Sequence, residues 1–135
     1  MNQQTGQELS DGEYIALHYF NDPVGFVRDV IQATPDANQI EILTSVKDNK
    51  RTAVASGHGI GKTCTTAWLI LWFISTRPNP QILVTANTKN QLDTKTWREL
   101  AKWSKKSLVG DWFEMTATRF YLKGAQETWF AASIP

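Results

Sequence analysis

Ser56-Gly-His-Gly-Ile-Gly-Lys-Thr63 decides the reading of this chain. It ends in Gly61-Lys62-Thr63, the tail of a Walker A phosphate loop, and each part has a physical task. Gly57, Gly59 and Gly61 let the backbone turn tightly enough for successive N–H groups to point at phosphate oxygens, with His58 and Ile60 between them. Lys62 would set a cation on the β- and γ-phosphates and is the catalytic candidate. The Thr63 hydroxyl would ligate Mg²⁺. The full pattern asks for glycine five residues before Gly61, where this chain has Ser56.

A phosphate loop should follow a buried strand and open a helix, whose N-terminus adds the positive end of its dipole to the anion site. Arg51-Thr-Ala-Val-Ala-Ser56 is short, apolar and partly β-branched, and reads as the strand. Lys62 onward is apolar enough for a helix of about three turns, ended by Arg77-Pro78-Asn79-Pro80. Before the loop, a helical region spans about Glu13 to Ile31, broken at Asn21-Asp22-Pro23. Thr34-Pro35-Asp36 starts a capped helix that reaches about Lys50. After it, Gln81-Ile-Leu-Val-Thr-Ala86 reads as a buried parallel strand, Asn87 or Thr88 caps a helix over 89–106, and Thr116–Leu122 and Thr128–Ala132 have strand character. The order implies an α/β fold with a mostly parallel sheet flanked by helices.

The chain has 135 residues, 41% hydrophobic and 20% charged, enough for a domain with a real core and unlike a disordered segment. Its net charge of +1 hides an asymmetry. Residues 1–49 carry two basic and eight acidic side chains, and residues 50–135 carry twelve basic and five acidic. The half with the phosphate loop is therefore cationic, which suits a polyanionic ligand or a mixed solvated surface. Within the helix over 89–106, Lys95, Arg98, Lys102 and Lys105 fall on one stripe, and Leu92, Thr96, Leu100 and Trp103 on the opposite side. The basic stripe reads slightly better as a solvated face than as a DNA-phosphate contact, and both readings stay open. Cys64 is the single cysteine and reads as a structural thiol. Trp97, Trp103, Trp112 and Trp129 read as core or interface aromatics. No signal peptide is evident, and the apolar run Ala67–Ile74 is too short to span a bilayer, so the expected compartment is cytoplasmic.

Three stretches together resemble the large subunit of tailed-phage terminases, the DNA-packaging motor. Pro35-Asp-Ala-Asn-Gln39-Ile-Glu-Ile-Leu43 looks like the family's adenine-recognising Gln motif, and a carboxamide can both donate to and accept from adenine's N6–N7 edge. Taken alone, Gln39 reads as a surface-helix residue; its place ahead of a phosphate loop favours the base contact. Ser56–Thr63 is similar to the family's deviant Walker A, with His58 where many members carry Arg. Ile82-Leu-Val-Thr-Ala-Asn-Thr-Lys-Asn-Gln91 resembles the motif shared with superfamily 2 helicases. The resemblance covers about residues 35–135, a partial P-loop ATPase domain of ASCE/RecA-like type, after an N-terminal helical region over 1–34.

The resemblance implies ATP and Mg²⁺ as cofactors, with Gln39 and Ser56 to Thr63 at the nucleotide. It further implies double-stranded DNA, the terminase small subunit and the portal or procapsid as partners, a homo-oligomeric motor, the host cytoplasm and no membrane. No apolar run in this chain ends in the Asp-Glu of a Walker B strand, and the family's nuclease domain has no counterpart. The expectation is a terminase fragment truncated before Walker B, which on its own binds nucleotide poorly or not at all and shows no turnover. A helicase-type ATPase and an inactive prophage remnant are the alternatives.

Overall fold

Local chemistry sets the helix boundaries. In the computed structural model, which describes residues 10–55, 61–86 and 95–134, α1 (Asp11–Tyr19) opens on a reciprocal capping box between Ser10 and Glu13. Pro23 takes the first turn of α2 (Pro23–Phe26), which continues into a π-helical turn over Val27–Ile31. Asp36 caps α3 (Ala37–Asp48). The helix α4 (Lys62–Thr76) stops where Pro78 pushes Arg77 out of the helical region, to φ −118° and ψ 140°. A fifth helix, α5, spans Trp97–Lys106.

The middle of the molecule is α4. Thr65, Ala67, Trp68, Ile70, Leu71, Trp72, Ile74, Ser75 and Thr76 are all buried, so the helix is covered on nearly every side rather than along one stripe. Tyr19, Phe26, Val27, Val30 and Ile31 from the N-terminal helices share its core, with Leu43 of α3 and Leu100 of α5. Polar ties reinforce the join at the C-terminal end of α4. The Trp72 indole N–H donates to the Tyr19 carbonyl at 2.7 Å, and Arg77 donates to the Phe20 carbonyl at 3.0 Å. The Arg77 guanidinium also lies 3.9 Å from the Phe20 ring centroid.

Four strands, β1 (Gln81–Thr85), β2 (Phe113–Met115), β3 (Arg119–Leu122) and β4 (Phe130–Ile134), form one sheet in the order β1-β4-β3-β2. The α/β class holds, with helices flanking the sheet, but the sheet is mixed rather than mostly parallel. Only β1 and β4 run parallel, with Gln81 opposite Phe130, while β2–β3 and β3–β4 are antiparallel. Connection length is the reason. Residues 116–118 and 123–129 are too few for the crossover that parallel neighbours need, so the chain can only fold back on itself.

Three strand expectations change as well: β1 is the expected parallel strand, but it lies at the sheet edge with only Val84 buried rather than inside the sheet. The expected strand over 116–122 is a hairpin end: Thr116 turns the chain, its hydroxyl accepting from the Arg119 N–H at 3.0 Å, and only Arg119–Leu122 pairs. Residues 51–55 form no strand, and Ala53, Val54 and Ala55 are exposed. Two alanines and one valine offer little apolar surface to hold a strand against the sheet. Ser56 of that expected strand lies outside the described residues.

Candidate nucleotide site

The head of α4 is where the sequence placed the phosphates. Gly61 is its N-cap residue, at φ +75° and ψ 25°, a left-handed conformation that favours glycine. Thr65 N–H closes the first turn on the Gly61 carbonyl at 2.9 Å. The N–H groups of Gly61, Lys62, Thr63 and Cys64 precede that bond, and no side chain among the described residues caps them. Four such donors with the dipole behind them suit a bound anion. Lys62 is exposed and Thr63 half-buried. Ser56, Gly57, His58, Gly59 and Ile60 lie outside the described residues.

Gln39 meets this helix start from α3. Its Nε2 donates to the Gly61 carbonyl at 3.4 Å across 22 positions of sequence. The same carboxamide completes a capping box: Gln39 Oε1 accepts from the Asp36 N–H at 2.9 Å, and the Asp36 carboxylate accepts from the Gln39 N–H at 2.8 Å. A carboxamide has two N–H groups and two acceptor lone pairs. Among the described residues one of each is used in these two bonds, and the side chain is buried, 7% exposed; a carboxamide with one donor and one acceptor to spare would suit adenine's N6–N7 edge. A Cβ at Gly61 would sit 2.6 Å from Gln39 Nε2, so a larger residue there would displace that carboxamide. Asp36-x-x-Gln39 is a capping-box spacing visible in the sequence, whereas the bond to Gly61 is tertiary and has no local signal.

Cys64 lies half-buried as the third residue of α4. Burial and the Glu99 carboxylate push its thiol up to about 11. At pH 8 about one thiol in a thousand is then ionised, and iodoacetamide should label Cys64 at least about tenfold more slowly than free cysteine, accelerating with pH. Labelling at the free-cysteine rate would contradict this inert, structural reading of the thiol.

The basic stripe is exposed along its length: Lys95, Arg98, Lys102 and Lys105 all face solvent, and so does Lys106. Trp97 (not Thr96), Leu100 and Ser104 form the buried side, with the Trp97 N–H donating to the Thr116 carbonyl at 3.0 Å. Trp103 packs edge-on against Trp68 at 5.5 Å, and the Lys102 and Lys106 ammonium groups each lie 4.9 Å from its ring. Leu92 lies outside the described residues. Trp112 and Trp129 are partly buried against the core. Among the described residues no cluster of three or more His, Cys, Asp or Glu side chains could hold a metal, and no helix is long and apolar enough to cross a membrane. A Mg²⁺ here would rely on the Thr63 hydroxyl, the phosphates and water.

With Gln39 and the head of α4 placed, comparison with known proteins gives a bearing. Over 123 residues the chain is 27% identical to a protein described as "Probable terminase, large subunit" from Enterobacteria phage P7. The likeness is to a terminase large subunit. It takes in 87% of this chain and only 25% of the relative, so the chain spans about a quarter of that terminase. No protein-family profile matches, and no solved structure does.

Proposed function

We propose that this chain forms the nucleotide-binding part of a phage DNA-packaging ATPase. Mg·ATP lies at the head of α4, with the backbone donors of Ser56 to Thr63 around the phosphates. Lys62 carries the cation to the β- and γ-phosphates, Thr63 ligates Mg²⁺ and Gln39 reads adenine. When bound, Mg·ATP supplies the phosphoryl group whose hydrolysis drives a motor, while the chain's own task is to bind and orient it. The exposed stripe of α5 offers cations to DNA phosphates. The small subunit, the portal or procapsid and further copies of the motor subunit are the partners this reading brings, in the host cytoplasm.

The observation that carries this is the hydrogen bond from Gln39 to the Gly61 carbonyl. It brings the candidate base-reading side chain, from a remote part of the sequence, to Gly61 at the head of α4, and the terminase likeness supports the same reading.

Base choice tests it. Gln39→Ala also removes half of the capping box, which should weaken all nucleotides alike; the loss specific to adenine adds to that. Its adenine contact is worth roughly 1–3 kcal/mol, so ATP should weaken about 5- to 150-fold more than GTP, which lacks the N6 donor. Titrations followed by chemical shift resolve even millimolar affinities. Equal losses for ATP and GTP would assign Gln39 to capping alone.

A further inference from the structure

Among the described residues, three hydrogen bonds reach the Gly61 carbonyl. Two come from Thr65, from its N–H at 2.9 Å and from its side-chain Oγ1 at 2.8 Å, and the third comes from Gln39 Nε2 at 3.4 Å. Thr65 is 1% exposed, so its hydroxyl has no access to solvent and is held against this carbonyl. The next residue provides an internal comparison. Thr66 makes the same type of bond to the Lys62 carbonyl at 3.0 Å, from a half-buried position one step around the helix.

Peptide geometry gives the bond a consequence. The Gly61–Lys62 peptide is trans, so its C=O and N–H point in opposite directions. Holding the carbonyl down the helix axis therefore aims the Lys62 N–H out of the helix end, toward the place assigned to the phosphates. Gly61 has no side chain and sits at φ +75°, where its backbone is otherwise the least constrained of any residue. A peptide following such a residue can turn over, and a turned peptide would present a carbonyl oxygen to the anion instead of a donor.

We propose that Thr65 is a positioning residue of the nucleotide site: its hydroxyl locks the Gly61–Lys62 peptide with the N–H facing the phosphates. The role rests on the nucleotide reading above. It assigns a function to a buried hydroxyl outside the Gly-Lys-Thr motif, acting through the backbone and without touching the ligand.

The test is a chemical-shift titration of the full 135-residue chain with Mg·ATP, alongside thermal melts. Thr65→Val keeps shape and removes the donor; it should lower affinity by about five- to tenfold, in line with one lost neutral hydrogen bond. Thr65→Ser restores the donor and should bind nearly as the unsubstituted chain does. Thr66→Val should leave affinity unchanged. If Thr65→Val does not fold, Thr65→Ala removes the same hydroxyl without adding a methyl group. Unchanged affinity in Thr65→Val, or an equal loss in Thr65→Ser or Thr66→Val, overturns the positioning role while leaving the nucleotide reading intact. An unsubstituted chain that gives no response to millimolar Mg·ATP overturns the nucleotide reading, and the positioning role with it.

Discussion

Lys62→Ala should weaken Mg·ATP binding by roughly 10- to 150-fold, because a charge-assisted contact is worth about 1.5–3 kcal/mol. The ammonium is exposed at the first position of α4, so it can reach a ligand at the helix end without first breaking a buried ion pair. Its removal also costs the fold little, since the lysine is exposed at the helix start and alanine is the better helix former. Affinity and stability should therefore separate: nucleotide binding falls while the melting temperature stays close to that of the unsubstituted chain. Parallel titrations and melts would show it. Unchanged affinity would remove the phosphate-loop assignment, and with it the nucleotide site.

The opposite separation is expected at Trp72. This side chain is 2% exposed, and its N–H meets the Tyr19 carbonyl at 2.7 Å. The Arg77 guanidinium lies 4.4 Å from its ring. Trp72→Ala should cost about 3–5 kcal/mol through the cavity it leaves, with the Tyr19 carbonyl losing one of its two donors and keeping the Asp22 N–H. Against a total of about 5–15 kcal/mol that is a large share, and the melting temperature should fall by roughly 10 °C or more. Trp72→Phe keeps most of the apolar volume and loses the N–H, so it should fall between the two. A melt of Trp72→Ala within about 2 °C of the unsubstituted chain would mean that α1 is not anchored through this residue.

How much of this was legible in the sequence varies by element, for physical reasons. The helix α4 was, because an apolar run closed by Pro78 has only one reasonable reading. So was the start of α3, where Asp36 is a cap. The strand expected over 51–56 failed because β-branched residues mark a strand only where a neighbour accepts them, and Val54 finds none among the described residues. Strand direction in the sheet could not be read either. It follows from short connections, and those depend on β2, a three-residue strand with no periodicity of its own. At the site, Lys62 and Thr63 were named from a motif. The bond from Gln39 to Gly61 was not, since it depends on how α3 lies against α4. Trp97 was placed among the core aromatics but left off the helix face that it anchors, because a lone tryptophan between charged residues carries little face information.

The single parallel pair of the sheet also bears on the order in which the fold can assemble. Joining β2 to β3 closes a short loop, from Phe113 to Leu122, whereas joining β1 to β4 must bring Gln81 to Phe130. By loop-closure entropy the longer connection costs roughly 1.5 kcal/mol more, and it returns no contacts until the register is set. The hairpin is thus the local nucleus of the sheet, and β1 joins it late. Because α4 leads into β1 through only residues 77–80, the helix whose head is proposed to bind phosphates completes its support on the sheet at that late step, after the hairpin has formed.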